Sequence, residues 1–329
     1  MGNHYQRGSS KWISFFSVLL LGTMMVLMGC TVRHVPLPKK PNSRHEIPLF
    51  SYEKETVQAQ VQRLKEENTY WIEKVTFSSS MAPYWVTAYH YVQKEGENPP
   101  TIIILPILGG DYSFSKNCAR YLARRGFSCL RFERTANPLE VGKGLIHTEM
   151  VLRHAIIDIR RVIDWLDQRG EVDLNRIGVA GISMGAIVAA LALEVEPRIN
   201  SAAILLGGAD IATILTNSKE NMVVRFREAV MQTNGIGLEQ FYREATQNLV
   251  PVDPLSYASG VDPKCILMIN ARFDKVIPSP CPEKLWNTLG RPLWIRIPTG
   301  HDSSALFLWY IRYRILRHFR KALIEGGQR

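Results

Sequence analysis

Cysteine is scarce in this chain, five residues in 329, and Cys30 stands apart at the end of the first apolar stretch. The other four, Cys118, Cys129, Cys265 and Cys281, are too few for a disulfide framework, and a chain of this length builds a core that does not require one. Cys129 and Cys265 fall in apolar, strand-like runs, where a buried free thiol is the expected state. No Cys or His pair has metal-ligand spacing, so neither a structural zinc nor another cofactor is expected. Charge is missing from Trp12 to Met28. Negative charge is in the minority elsewhere: the formal net charge is +10. That balance suits a chain living beside anionic lipid, although a solvated basic surface explains it equally, and it gives no nucleic-acid signature.

The uncharged run explains the first segment. Arg7 and Lys11 form a basic leader, the apolar core follows, and the stretch closes on Leu27-Met28-Gly29-Cys30. A charged start, an apolar centre and a small residue before a cleavage point are the parts of a secretory signal. With a cysteine directly after the small residue, the segment resembles the lipobox of bacterial lipoproteins. The resemblance implies acylation of Cys30, removal of residues 1–29 and a mature chain of 300 from the 329. An uncleaved anchor helix is the alternative, since the run is almost long enough to span. Gly2 does not open a myristoylation motif, because Gln6 stands where Ser or Thr is needed. Thr31 after the cysteine, rather than Asp, implies the periplasmic side of the outer membrane in such families.

From Thr31 to about Asn68 the sequence reads as a tether and lead-in. Pro36, Pro38 and Pro41 argue for an extended linker. Val57, Val61 and Leu64 share one face of a short surface helix expected within Glu53–Glu67. The domain proper is expected at residues 69–329. Tyr70–Phe77 and Tyr84–Gln93, rich in aromatic and β-branched residues, suit an antiparallel pair at the sheet edge. Thr101–Pro106 is apolar throughout and suits a parallel strand covered on both faces. Ser113 or Ser115 can cap a helix that stops at Gly126. Phe127–Phe132 is the next strand, and Glu149–Arg169 has the apolar spacing of an amphipathic crossover helix. Such alternation builds a doubly wound, mostly parallel α/β sheet, whose ligands bind beyond the carboxyl ends of the strands.

One stretch carries chemistry. Ile177–Ala180 is a short buried strand; Gly181-Ile182-Ser183-Met184-Gly185 follows; then an Ala- and Leu-rich run free of Gly and Pro until Pro197 suits a buried helix. Two glycines at i±2 from a serine, between strand and helix, form a nucleophile elbow. Asp274 comes directly after the strand Cys265–Asn270, and Gly300-His301-Asp302 directly after the strand Leu293–Ile297. From about Trp71 to Ile324 the chain resembles the α/β-hydrolase superfamily of serine hydrolases, in its esterase and dienelactone hydrolase branch. Val172–Ala190 is the strongest piece.

The Ser, Asp, His order is that family's order. A serine hydroxyl needs an imidazole to take its proton, and a carboxylate to hold that imidazole in one tautomer. Ser183 is therefore the expected nucleophile, His301 the base and then acid, and Asp274 the orienting carboxylate. Asp210, after the strand Ala202–Leu206, is the rival acid; Asp302, adjoining His301, cannot easily fold back onto the ring. His90, His147 and His154 are read as structural; His4, His34, His45 and His318 lie in the leader, tether or last helix. The oxyanion hole needs two backbone N–H groups. They are expected from Met184 and, by likeness to the family's His-Gly-x loop, from Leu108, although Pro106 and Ile107 replace the usual His-Gly.

Residues 211–262 have little strand character, and an insertion at this point of the fold makes a small helical lid. Its Val223, Phe226, Val230, Phe241 and Tyr242 either line an acyl site or anchor the lid. The last helix, Ala305–Ile324, turns Leu308, Ile311, Ile315, Phe319 and Leu323 to the core and carries Arg312, Arg314, Arg317, Arg320 and Lys321 on its other side. The expected protein is an exported, lipid-anchored serine hydrolase acting on a carboxylic ester through an acyl-enzyme. Its alternatives are a binding or scaffold protein on the same fold, or an amidase, peptidase or acyltransferase using the same triad. About 40 residues of tether and lead-in cannot supply the large N-terminal domain that peptidases of this fold often carry.

Overall fold

Runs of β-branched and apolar residues, too short and unbroken for helical periodicity, set the centre of the molecule. The computed structural model describes residues 30–36, 47–110, 112–257 and 262–325. The leader and part of the linker (residues 37–46) lie outside them. Ten strands among the described residues form one sheet. In chain order they are β1 (Thr31–Arg33), β2 (Gln60–Glu66), β3 (Tyr70–Ser78), β4 (Trp85–Gln93), β5 (Thr101–Leu105), β6 (Ser128–Phe132), β7 (Ile177–Ile182), β8 (Ile199–Leu205), β9 (Ile266–Ala271) and β10 (Leu293–Ile297). Across the sheet the order is β1-β10-β9-β8-β7-β5-β6-β4-β3-β2. The strands from β10 to β6 in that order are mutually parallel; β4, β3 and β2 at one side and β1 at the other are antiparallel to their neighbours.

Eight α-helices among the described residues cover the sheet: α1 (Ser113–Ala123), α2 (Gly144–Arg169), α3 (Met184–Val195), α4 (Ile211–Asn217), α5 (Asn221–Asn234), α6 (Leu238–Leu249), α7 (Pro280–Thr288) and α8 (Leu308–Phe319). The two-residue period of a strand divides the core. Ile103 and Leu105 of β5 join α2, α3 and the α4–α6 insertion on one face. Ile102 and Ile104 join Cys118 and Leu122 of α1 and Ile311 and Ile315 of α8 on the other. Each of these buried aliphatic side chains contributes roughly 1.5–3 kcal/mol by leaving water. From β5 the chain steps to β6 on one side, then returns to β7 on the other. That reversal opens a crevice beyond the carboxyl ends of β5 and β7, where doubly wound sheets bind their ligands.

Several expectations need correction. Gln60–Glu66, expected as helix, is strand β2, paired along β3 and exposed at every residue. Val57, Val61 and Leu64 fit a helical stripe, but pairing with β3 supplies hydrogen bonds that an isolated short helix cannot match. Charged Arg63, Lys65 and Glu66 keep this edge from pairing further. The domain also begins earlier than residue 69. Thr31–Arg33 pairs with β10, Phe50 is fully buried, Val57 is buried, and Tyr52 donates to Asp164 at 2.5 Å. Helix α1 is not capped by a serine side chain; Tyr112 occupies the cap, and the Ser115 hydroxyl donates to its carbonyl at 3.0 Å. Helix α2 begins at Gly144 rather than Glu149 and so takes in His147.

Candidate active site

Ser183 sits between the end of β7 and the start of α3 with φ +57° and ψ −120°, a conformation that costs a non-glycine residue on the order of 1–3 kcal/mol. The flanking glycines are sterically required. A Cβ on Gly181 would lie 2.0 Å from the Gly185 carbonyl oxygen, and one on Gly185 would lie 2.6 Å from that of Pro106. The first contact shows how tightly the turn closes. The second shows that the loop after β5 lies directly over the first turn of α3. The Ser183 N–H donates to the Leu205 carbonyl at 2.9 Å, which ties the elbow to β8.

The structure brings the three sequence-predicted side chains together. Ser183 Oγ lies 3.0 Å from His301 Nε2, and His301 Nδ1 lies 2.8 Å from Asp274 Oδ2. A carboxylate only accepts, so Nδ1 carries the proton and Nε2 is left to accept from the serine hydroxyl. Asp274 is held in turn: its Oδ1 accepts from the backbone N–H of Val276 at 2.8 Å and of Ile277 at 2.9 Å. The two loops are stitched where β9 and β10 run out, because the Phe273 N–H donates to the Thr299 carbonyl at 2.9 Å. Both side chains are shielded, with relative exposure of 13% for His301 and 6% for Asp274.

Asp210 and Asp302 are not brought to the imidazole. Asp210 caps α4 through Thr213 and pairs with Lys284. Burial raises its carboxyl, but those hydrogen bonds outweigh burial and hold it below the usual carboxylate value. Asp302 is exposed at the start of a 3₁₀ turn. His90 is buried against Ser128 and the Trp165 ring, and His318 is half-buried against Ser201 and the Cys265 carbonyl. Met184 opens α3, where the first backbone N–H groups have no partner within the helix. Leu108 sinks its side chain into the core, 8% exposed, which fixes the loop after β5.

A cavity of about 70 Å³, partly open to solvent, adjoins the elbow. Pro106, Ile107, Phe132, Val151, Leu152, Met184 and Val188 give it an apolar wall; Ser79, Glu133, Arg134, Thr135, His154 and Asp158 are its polar members. Arg134 and His154 escaped the reading of the sequence as site residues. Arg134 stands two residues past the end of β6, at the same rim as the triad, a position that could have flagged it. His154 gave no such signal, because α2 reaches the cavity only through packing. Burial, then the charge of Arg153, lowers the His154 pKa, and its Nδ1 is 2.8 Å from Ser80 Oγ. Among the described lining residues none comes from the insertion. Val223, Phe226, Val230 and Phe241 are instead packed in the main core, while Tyr242 is exposed. They anchor the insertion.

No family model and no curated protein matches this chain. Solved structures do. An acetyl xylan esterase from Paenibacillus sp. R4 is 17% identical, with 79% of this chain and 89% of that one superposed at a TM-score of 0.61. Acetyl xylan esterase 1 from Thermoanaerobacterium sp. is 16% identical over 78% and 88%, with a TM-score of 0.60. The acylaminoacyl peptidase of Pyrococcus horikoshii is 17% identical over 78% of this chain but 42% of that chain, with a TM-score of 0.56. This likeness establishes the α/β-hydrolase fold.

Proposed function

We propose that the chain is a serine hydrolase that cleaves a carboxylic ester through an acyl-enzyme on Ser183. The observation that carries the reading is the unbroken path from Asp274 Oδ2 through both nitrogens of His301 to Ser183 Oγ. His301 Nε2 takes the hydroxyl proton as Oγ adds to the ester carbonyl carbon, and Asp274 stabilises the resulting imidazolium. The backbone N–H groups of Met184 and Leu108 are assigned to the oxyanion. Collapse breaks the bond to the alcohol oxygen, which leaves with the proton from His301. Water then repeats the sequence: His301 takes its proton, the hydroxyl adds to the acyl carbon, and the acid departs as Ser183 regains its hydrogen. The apolar cavity beside Met184 suits the acyl group or the alcohol portion of such an ester.

Esterase rather than peptidase chemistry is favoured because the superposition spans most of the esterases but under half of the peptidase. We further propose that the protein is exported and held by an acyl chain on Cys30. The support is the leader sequence, whose residues lie outside those described. No described helix is long and apolar enough to cross a membrane. A fluorophosphonate probe tests the central claim: labelling of wild type and its disappearance in Ser183→Ala is the expected result. Equal labelling of the two would remove it, and with it the distinction from a non-catalytic scaffold.

A further inference from the structure

Cys30 is not at the end of a slack tether. β1 runs antiparallel to β10 with Thr31 opposite Arg296, so Cys30 lies towards Ile297, the end of β10 from which the chain proceeds to His301. It is partly buried against the cluster that holds Ile297, Ile311 and Ile315. An acyl chain on this residue would leave the protein at the rim that carries the triad.

Four large apolar side chains are exposed beside the same rim. Leu306 is 76% exposed, Phe273 63%, Trp309 54% and Tyr313 48%. Phe273 precedes Asp274, and the other three follow His301. Single exposed apolar residues are ordinary; these four lie close together, Phe273 in the loop after β9, Leu306 in the turn after His301, and Trp309 and Tyr313 on the first half of α8. Their order along α8 has a direction. A Cβ on Gly178, at the start of β7, would meet Phe319 and Leu323, so α8 runs from the rim back to the opposite end of the sheet. Leu306, Trp309, Tyr313, Arg317 and then Arg320 follow at helical spacing on its outer side, with Arg317, Arg320 and Lys321 exposed. At 1.5 Å per residue, Arg317 lies roughly 12 Å behind Trp309. Aliphatic at the tip, Trp and Tyr next and cations behind is the depth profile of one bilayer leaflet with anionic headgroups.

We infer that this rim is a membrane-docking surface, with Leu306 and Phe273 in the acyl region and Arg317, Arg320 and Lys321 at anionic headgroups. The anchored protein then rests with its active-site rim against the lipid. The inference builds on the proposed acylation of Cys30 and extends it, since β1 leaves no slack between anchor and domain. Of the basic residues on α8, Arg312 and Arg314 do not take part: Arg312 stacks on Tyr121 at 5.1 Å, and Arg314 donates to the Tyr310 hydroxyl at 2.9 Å.

The test uses the full acylated chain in phosphatidylcholine–phosphatidylglycerol vesicles, with a polarity-sensitive fluorophore at Leu306→Cys or, as control, at Leu64→Cys on the opposite sheet edge. Retained hydrolysis of a short soluble ester shows that both variants are folded. Quenching by acyl-chain-labelled lipid at least about threefold stronger at 306 than at 64 is expected. A chain that floats with vesicles but is quenched equally at both positions, or at neither, overturns the docking surface alone. A chain that does not float, with no acyl group on Cys30 by mass, overturns the anchoring as well. A shift at 306 that needs no lipid and vanishes on dilution marks a second copy as the occupant and also overturns it.

Discussion

The rim and the two outer edges of the sheet are built from the same kind of strand but by different means. At the rim, positions are fixed by turns that few residues can make: Gly181 and Gly185 lack room for a Cβ, and Ser183 has positive φ. At the edges, β1 and β2 are largely polar and exposed along their length. They are strands only because β10 and β3 offer a row of backbone groups. Local covalent geometry decides the first region; pairing with another strand decides the second, the next strand along the chain for β2 and one near the other end of the chain for β1. Substitutions at the rim should therefore destroy chemistry, and substitutions near the edges should cost stability alone.

The sharpest separation is expected from Asp274→Asn. It keeps the shape but lets the amide donate to Nδ1, so the imidazole loses the tautomer that accepts from Ser183. Single-turnover ester hydrolysis should fall roughly 10³–10⁴-fold with an unchanged melting profile. Gly185→Ala comes next, because the new Cβ must displace the loop after β5 that carries the assigned second oxyanion donor. A loss on the order of 10²-fold in kcat is expected, and near-normal turnover would show that the loop has slack the structure does not display.

Acid tests the body of the sheet rather than its rim. Burial, with Arg169 second, pushes His90 down to about 3 from 6.5. Burial also lowers His318 to about 4, against opposing hydrogen bonds to Cys265 and Ala202. Both fold neutral, so the unfolded chain binds more protons between pH 6.5 and about 4. Their contribution to stability is complete above that window and lost as pH falls through it, by on the order of 3 kcal/mol for each imidazole at its lower end. Denaturant titrations should show this slope, and His90→Asn should flatten it. The smallest effect is expected from Tyr52→Phe, which removes a donor to the buried Asp164. Arg198 still serves that carboxylate at 2.6 Å. A loss of about 1 kcal/mol with turnover within twofold is expected, and a large loss of turnover would join the lead-in to the site.

The three side chains were legible in the sequence because each follows a strand directly. Once β7, β9 and β10 are parallel strands of one sheet, Ser183, Asp274 and His301 must share its carboxyl end. The choice between Asp274 and Asp210 was harder. Both follow strands, and only the path of the loop after β8, which turns Asp210 toward Thr213 and Lys284, separates them. The aromatic residues of the insertion were equally ambiguous, since a buried Phe226 reads the same whether it lines a cavity or fills a core. Residues 60–66 were misread because an edge strand exposed on both sides has no burial period to report.

By itself the sequence determined the alternation of strand and helix, the elbow and the order of the reactive residues. These depend on steric and periodic rules that act over a few positions. Only the tertiary structure decided that Cys30 leads straight into the sheet beside the active-site rim, and that Arg134 and His154 wall the cavity. It also decided which carboxylate meets the imidazole. Those outcomes depend on contacts between residues tens to hundreds of positions apart, and no local pattern records which distant backbone a short strand will find.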